Sequence, residues 1–263
     1  STTRPHCLPL FPSTPSLRPA VAGPLAINVG SSTASATISG LAAVANGLTP
    51  DIHLTAESLV LVNDAKATAA QASESASGKF GVGASIAINV ADSHADASIG
   101  NGVLLSGLPA HDIIMSATAS GAVHTSAEGG ASGTTGIGGA VAITVADNSA
   151  TSTLGTGSLG GITPALSLTG EFKAQADNHG TSETTASGKA LGTDTAIGAA
   201  IALGFVSDSA MATTARNITA GGAVSFIARG DGSSKSAATA SAAGADSNKE
   251  SAKGNNSADD QIT

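Results

Sequence analysis

Residues 83–92 read GASIAINVAD and residues 138–147 read GGAVAITVAD, the same aliphatic skeleton and closing Asp written twice. Ile86, Ile88 and Val90 alternate with Ser85, Ala87 and Asn89, and Val141, Ile143 and Val145 alternate with Ala140, Ala142 and Thr144. A period of two is the signature of a strand, whose successive side chains point to opposite faces. One face then takes the large aliphatics and the other the small residues. Two further versions, LAINV and AIALGF, complete the series. With Val29, Val90, Val145 and Phe205 as a ruler, the copies stand 61, 55 and 60 residues apart.

Working outward, each copy is followed by a second phrase: SSTASATISG, DSHADASIG, DNSATSTLG and SDSAMATTA. A third follows in TPDIHLTAES, AHDIIMSATAS, TPALSLTGEFKAQA and GGAVSFIARG, pairing Ile52 with Leu54, Ile113 with Met115, Leu166 with Leu168 and Val224 with Phe226. Turns precede these phrases. Three carry Pro50, Pro109 and Pro164, and the fourth uses Gly221 and Gly222, a different solution to the same bend. Polar phrases such as GAVHTSAEGGASG and HGTSETTASGKALG lead into the next copy. Ala-rich windows such as SAATASAAGA tolerate helix, but their Ser/Thr alternation and dense glycine favour strand.

Two all-β architectures satisfy this pattern. In a β-solenoid of four tandem units of about 55–61 residues, like phrases stack in register around an aliphatic interior. In an antiparallel β-sandwich of long strands the glycine-rich turns are hairpins. Recurrence of the same apolar residues at the same phase is what stacking requires, and it favours the solenoid. A unit this long implies two or three turns of a small coil, or unusually wide turns. The units read as 25–82, 83–137, 138–197 and 198–245, between a proline-rich extended arm at 1–24 and a polar linker or tail at 246–263. Six of the nine prolines lie in 1–24, and each would remove a ladder donor from a strand. The tail stops where a fifth unit would start, and an array cut there leaves an open strand edge.

Composition narrows the function. The chain has 33 Gly, five Phe, no Trp and no Tyr, so cohesion must come from many small contacts over a long surface, as in repeat proteins. Eleven basic against 19 acidic residues leave a net charge of -8 and no basic stripe for nucleic acid. The longest aliphatic run, IGAAIALGFV at 197–206, is too short for a membrane span. The opening residues show no charged-then-apolar signal segment, so an export signal would have been removed or would lie outside this chain. The lone Cys7 excludes an internal disulfide and reads as a bystander thiol.

The cadence GASIAINVADSHADASIG followed by HDIIMSATASGAVHTSAEGGASG resembles the tandem units of large bacterial secreted adhesins, the autotransporter-passenger-like and filamentous-haemagglutinin-like chains. The likeness spans residues 25–245 and rests on Gly/Ala/Ser/Thr/Val phrases. It implies an extracellular or cell-surface β-rod acting as a stalk, fibre or adhesin, whose partners are copies of itself in a homo-oligomer or filament and, beyond those, a surface glycan or matrix. It brings no catalytic motif, and the GGxGxDxUx nonapeptide of calcium-binding RTX repeats is absent.

Asp92, Asp147 and Asp208 recur just after the first phrase, with Asp96 four residues past Asp92. They are candidate oxygen ligands for Ca²⁺, a hard cation that takes carboxylates and carbonyls. Against this stands their use as turn residues whose charges keep strand ends from pairing with strangers. His6, His53, His94, His111, His124 and His179 share no repeat position and no zinc spacing, and read as solvated. Gly81 with Gly83 and Gly136 with Gly138 precede strands rather than helices, which removes the dinucleotide and P-loop readings and suggests bends between coils. GTGSLGG at 155–161 lacks the spacing of a nucleophile elbow. Phrases such as TSTLGT could present hydroxyls for ice binding, against the ordinary reading of a solvated strand face. Asn217 and Asn255 begin N-x-S/T triplets.

The sequence therefore predicts a structural, non-enzymatic filament or adhesin component that self-associates through strand edges, a small-residue face or the terminal arm. The alternatives are a binding module for ice or glycan, the glycan version lacking aromatic platforms, and a β-helical polysaccharide-cleaving enzyme, for which the carboxylates are sparse and scattered.

Overall fold

The computed structural model describes residues 20–39, 51–69, 80–103, 105, 110–157 and 163–244. The arm up to residue 19 with Cys7 and His6, Pro50, Pro109 and the tail with Asn255 lie outside them. Among the described residues nine strands follow in order: β1 (Ala20–Ala22), β2 (Leu25–Ile38), β3 (Ile52–Thr68), β4 (Phe80–Ile99), β5 (Ile113–Leu154), β6 (Leu166–Leu168), β7 (Phe172–Thr214), β8 (Ile218–Ala220) and β9 (Val224–Gly244). β1 pairs with Gly81–Gly83, so strand begins inside the segment read from its prolines as an arm.

Every ladder is parallel, which removes the hairpin sandwich and is consistent with a β-solenoid. The sequence ruler is itself a hydrogen-bonded column: Val29 registers on Val90, Val90 on Val145 and Val145 on Phe205. Residues 61, 55 and 60 apart in the chain are thus neighbours across the ladder, and the turns are wide ones.

Strands of 42 and 43 residues cannot run straight through a chain of this size. Within β5 the Thr144 hydroxyl donates to Thr125 Oγ1 at 2.6 Å, and a Cβ on Gly129 would overlap the carbonyl of Gly139, so the chain doubles back near Thr134. β7 reverses in the same way near Asp194, where the register against β5 slips by one residue between Gly133 and Thr135. Two parallel-stranded layers result. The first holds β3, 113–133, 172–192 and β9; the second holds β1, β2, β4, 135–154 and 195–214.

The space between the layers tapers. At the bends a Cβ on Gly83 would overlap the Gly130 carbonyl, and one on Gly138 that of Lys189. These glycines lie inside strands, close to where the chain doubles back, and set a close approach of two backbones. Ala87, Ala127, Ala140, Ala142 and Ala186 fill the next stretch. At the far end, where the turns leave more room, Ile99, Ile113, Met115, Leu154 and Phe172 are fully buried, with Leu166 and Leu168 closing the base.

Two expectations change here. The aliphatic interior exists only at that base: along the repeated phrase the inner residues are Gly83, Ser85, Ala87, Asn89 and Ala91, and Ile86, Ile88 and Val90 face outward. Along that phrase the inner positions hold Gly, Ala, Ser and Asn, together with the short branched side chains of Thr144 and the facing Val123, Thr125 and Thr184, so the large aliphatics of the phrase are left on the outside. Leu166 and Leu168 also do not match Ile113 and Met115. Phe172 and Ala174 take those registers, and Leu166–Leu168 forms a separate two-stranded sheet with β8. The predicted strand over the Ala-rich window is present in β9.

Candidate functional site

Among the four candidate ligand residues, Asp92 and Asp147 are register partners on the outer face of the second layer. With His94 they form a group whose ligand atoms lie within 4.8 Å of one another. His94 Nε2 stands 2.5 Å from Asp92 Oδ1, and its Nδ1 is 2.5 Å from Ser149 Oγ. Asp96 lies two positions further along the same face, registers on Thr151, and accepts from Ser98 Oγ at 2.8 Å. Asp208 is elsewhere. It registers on Asn148, one residue past the partner of Asp147, and a shift of one residue moves a side chain to the opposite face. Its carboxylate accepts from Asn148 Nδ2 at 2.8 Å and Asn178 Nδ2 at 3.4 Å, in room left by Gly180 and Gly232. Two carboxylates and one imidazole converge, far from the six to eight oxygens that Ca²⁺ takes. A second group, Asp51, His111 and Asp112, sits at the turns; Asp112 Oδ1 there accepts the Glu171 amide at 2.7 Å.

The inner polar residues form bridges between the layers. Asn89 Nδ2 donates to the carbonyls of Asn63 at 2.6 Å and His124 at 3.0 Å, Asn63 Nδ2 donates to the carbonyl of Val90 at 3.2 Å, and Asn28 Nδ2 donates to Asn63 Oδ1. Thr184 continues the line by donating to Thr144 at 2.6 Å. Facing backbones and side chains supply partners for these donors, whereas Ser85 Oγ, Asn89 Oδ1 and Asn178 Oδ1 are buried without one. Arg216, which the sequence reading passed over, is buried at the base. Its Nε donates to the Gly155 carbonyl at 2.7 Å and Nη1 to that of Val103 at 3.1 Å, and burial lowers its pKa from the ordinary value. A lone Arg among Ala, Thr and Asn carried no signal of this.

The two outer faces differ in chemistry. On the first layer His124, Glu183 and Lys235 form a column, with Lys235 Nζ 3.2 Å from Glu183 Oε1, and Arg229 Nη1 lies 3.5 Å from Asp177 Oδ1. On the second layer, the half nearer the bends presents Leu25, Ile86, Val141 and Ile201 in one column, Ile27, Ile88, Ile143 and Leu203 in the next, and the ruler residues beyond. Val29 is 70% exposed, Ile86 41%, Ile201 51% and Phe205 59%. The half nearer the base carries one complete hydroxyl column, Thr37, Ser98, Thr153 and Thr213, beside a column interrupted by Asp96 and Met211. An ice-ordering surface needs a two-dimensional hydroxyl array, and a single column does not supply one.

A small hollow of about 160 Å³ between Gly130, Leu191 and Ala243 has Lys189 as its one ionisable lining residue. It holds no carboxylate pair. Among the described residues no helix is long and apolar enough to cross a membrane. No family model, curated protein or solved structure matches the chain.

Proposed function

We propose that the chain is a structural component of an extracellular or cell-surface filament or adhesin, a rod of four tandem units that self-associates through its open strand edges. The observation that carries this reading is the parallel register running from Val29 through Val90 and Val145 to Phe205, in which each row is a template for the next along one axis. Among the described residues β9 pairs only with β7, and its other edge is a row of free backbone donors and acceptors 21 residues long. The side chains spent on the interior between the bends and the base are mostly Gly, Ala, Ser, Thr and Asn, which hold two backbones together. The terminal arm up to residue 19 lies outside the described residues, and Ala20–Ala22 after it pair within the chain as β1.

Negative-stain electron microscopy of native material tests the proposal. Elongated rods or fibrils are expected, with a diffraction spacing along the axis of about 4.8 Å. A field of isolated globular particles overturns it.

A further inference from the structure

The half of the second layer's outer face nearer the bends is uncharged over four stacked rows, and apolar except for Thr135 and Thr195 at its margin. Its outward positions are Leu25, Ile27 and Val29 in the first row, Phe80 to Val90 in the second, Thr135 to Val145 in the third and Thr195 to Phe205 in the fourth, taking alternate residues. None of these positions carries a charge. Soluble monomers seldom leave a contiguous apolar surface of this extent to water. Packing among the described residues does not account for it, because the interior at these rows is closed by Gly, Ala, Ser, Thr and Asn.

A second feature gives the face relief. Ala84, Gly139 and Ala199 register on one another and form a furrow between the columns Val82–Ile137–Ile197 and Ile86–Val141–Ile201. A Cβ on Gly139 would meet nothing within 4 Å. Its smallness is therefore not required by the fold, in contrast to Gly138 beside it, whose Cβ would overlap a backbone carbonyl. A furrow flanked by aliphatic ridges is the shape into which a ridge of another sheet fits, and face-to-face sheets interlock in this way about 10 Å apart.

We infer that this face is the docking surface for a second copy of the chain, packed aliphatic face to aliphatic face. The inference rests on the self-association proposed above and adds the surface that joins one rod to another laterally. Three observations select a second copy as the occupant. A second copy brings the same lattice, with rows about 4.8 Å apart and outward residues about 6.6 Å apart along each strand, so ridges and furrows match over the whole face. Three rows of about eleven residues and a first row of about five give a footprint of about 600 Å² per copy, three quarters of the roughly 800 Å² per partner of a standard stable interface. The absence of charge offers nothing to a nucleic acid or an anionic headgroup, whereas it lets two copies approach without repulsion or buried unpaired ions.

The test is sedimentation velocity of the full chain at about 100 µM, above the micromolar dissociation constants that weak interfaces of this size show. Three proteins are compared: wild type, the double variant Ile86→Glu/Ile143→Lys, and Gly139→Leu, which fills the furrow without adding charge. Wild type is expected to be at least dimeric. The double variant is expected to lose association by 100-fold or more and Gly139→Leu by about tenfold, each with the far-UV circular dichroism of wild type. A wild type that is monomeric at this concentration overturns the inference. So does association that both variants leave unchanged, an outcome that would keep association through strand edges intact. Flotation of wild type with phosphatidylcholine vesicles, lost in the double variant and unaccompanied by dimerisation, would assign the face to a lipid surface and also overturn it. If electron microscopy shows rods but no lateral pairing, this inference fails and the rod reading stands.

Discussion

Gly138 and Gly139 are adjacent in the chain and opposite in what surrounds them. The first faces the Lys189 carbonyl across the narrow end of the taper, and the second faces open space. Gly138→Ala is expected to cost about 3 kcal/mol through forced separation of the layers. Gly139→Ala is expected to change stability by no more than about 0.5 kcal/mol. Denaturant midpoints of the two single variants measure the contrast, and equal midpoints would contradict the close approach. Arg216→Ala strips donors from the carbonyls of Gly155 and Val103 in a buried place, and a loss of about 2–4 kcal/mol is expected in the same assay. For the aspartates, excess Ca²⁺ is expected to leave the thermal midpoint unchanged. Only Asp92 and Asp147 of the four share a group, and the Asp208 carboxylate is taken by two asparagine amides. A midpoint that climbs with Ca²⁺ concentration would show the opposite.

At the scale of an element, each long strand changes character along its length. β5 is aliphatic inside at Ile113 and Met115, polar inside at Thr125 and Thr144, glycine-rich where it doubles back, and aliphatic outside from Ile137 to Val145. Phe172→Ala is expected to cost about 3–5 kcal/mol, because the ring is buried at the wide base and stacks obliquely on Phe226 at 5.4 Å. Phe205→Ala, on the outer face, is expected to leave the stability of an isolated molecule within about 0.5 kcal/mol of wild type. Thermal melts of the pair at low concentration decide this. The strands themselves were legible in the sequence from their two-residue alternation, and the register from the recurring Val29, Val90, Val145 and Phe205. Which side of the alternation is inside was not legible, since a period of two is the same for both answers. The slip that placed Leu166 beside Ile113 has a similar source: two apolar pairs, LSL and EFKA, lie within one phrase, and only the hydrogen-bonded ladder shows which one continues the column.

At the scale of the whole molecule, the fold depends on contacts between residues 52–61 apart, made in the same way row after row. Long-range parallel pairing must close large loops before it gains contacts, so refolding is expected to take seconds or longer, with stopped-flow dilution from denaturant as the check. Complete refolding within a millisecond would be inconsistent with that topology. The sequence alone determined that the described residues are β and that equivalent phrases lie over one another, because periodicity and recurrence are linear properties. Only the tertiary structure decided that the large aliphatics of the repeated phrase face outward, because that depends on how closely two layers approach at a given row, and that distance is set by glycines and carbonyls that meet only when the chain doubles back.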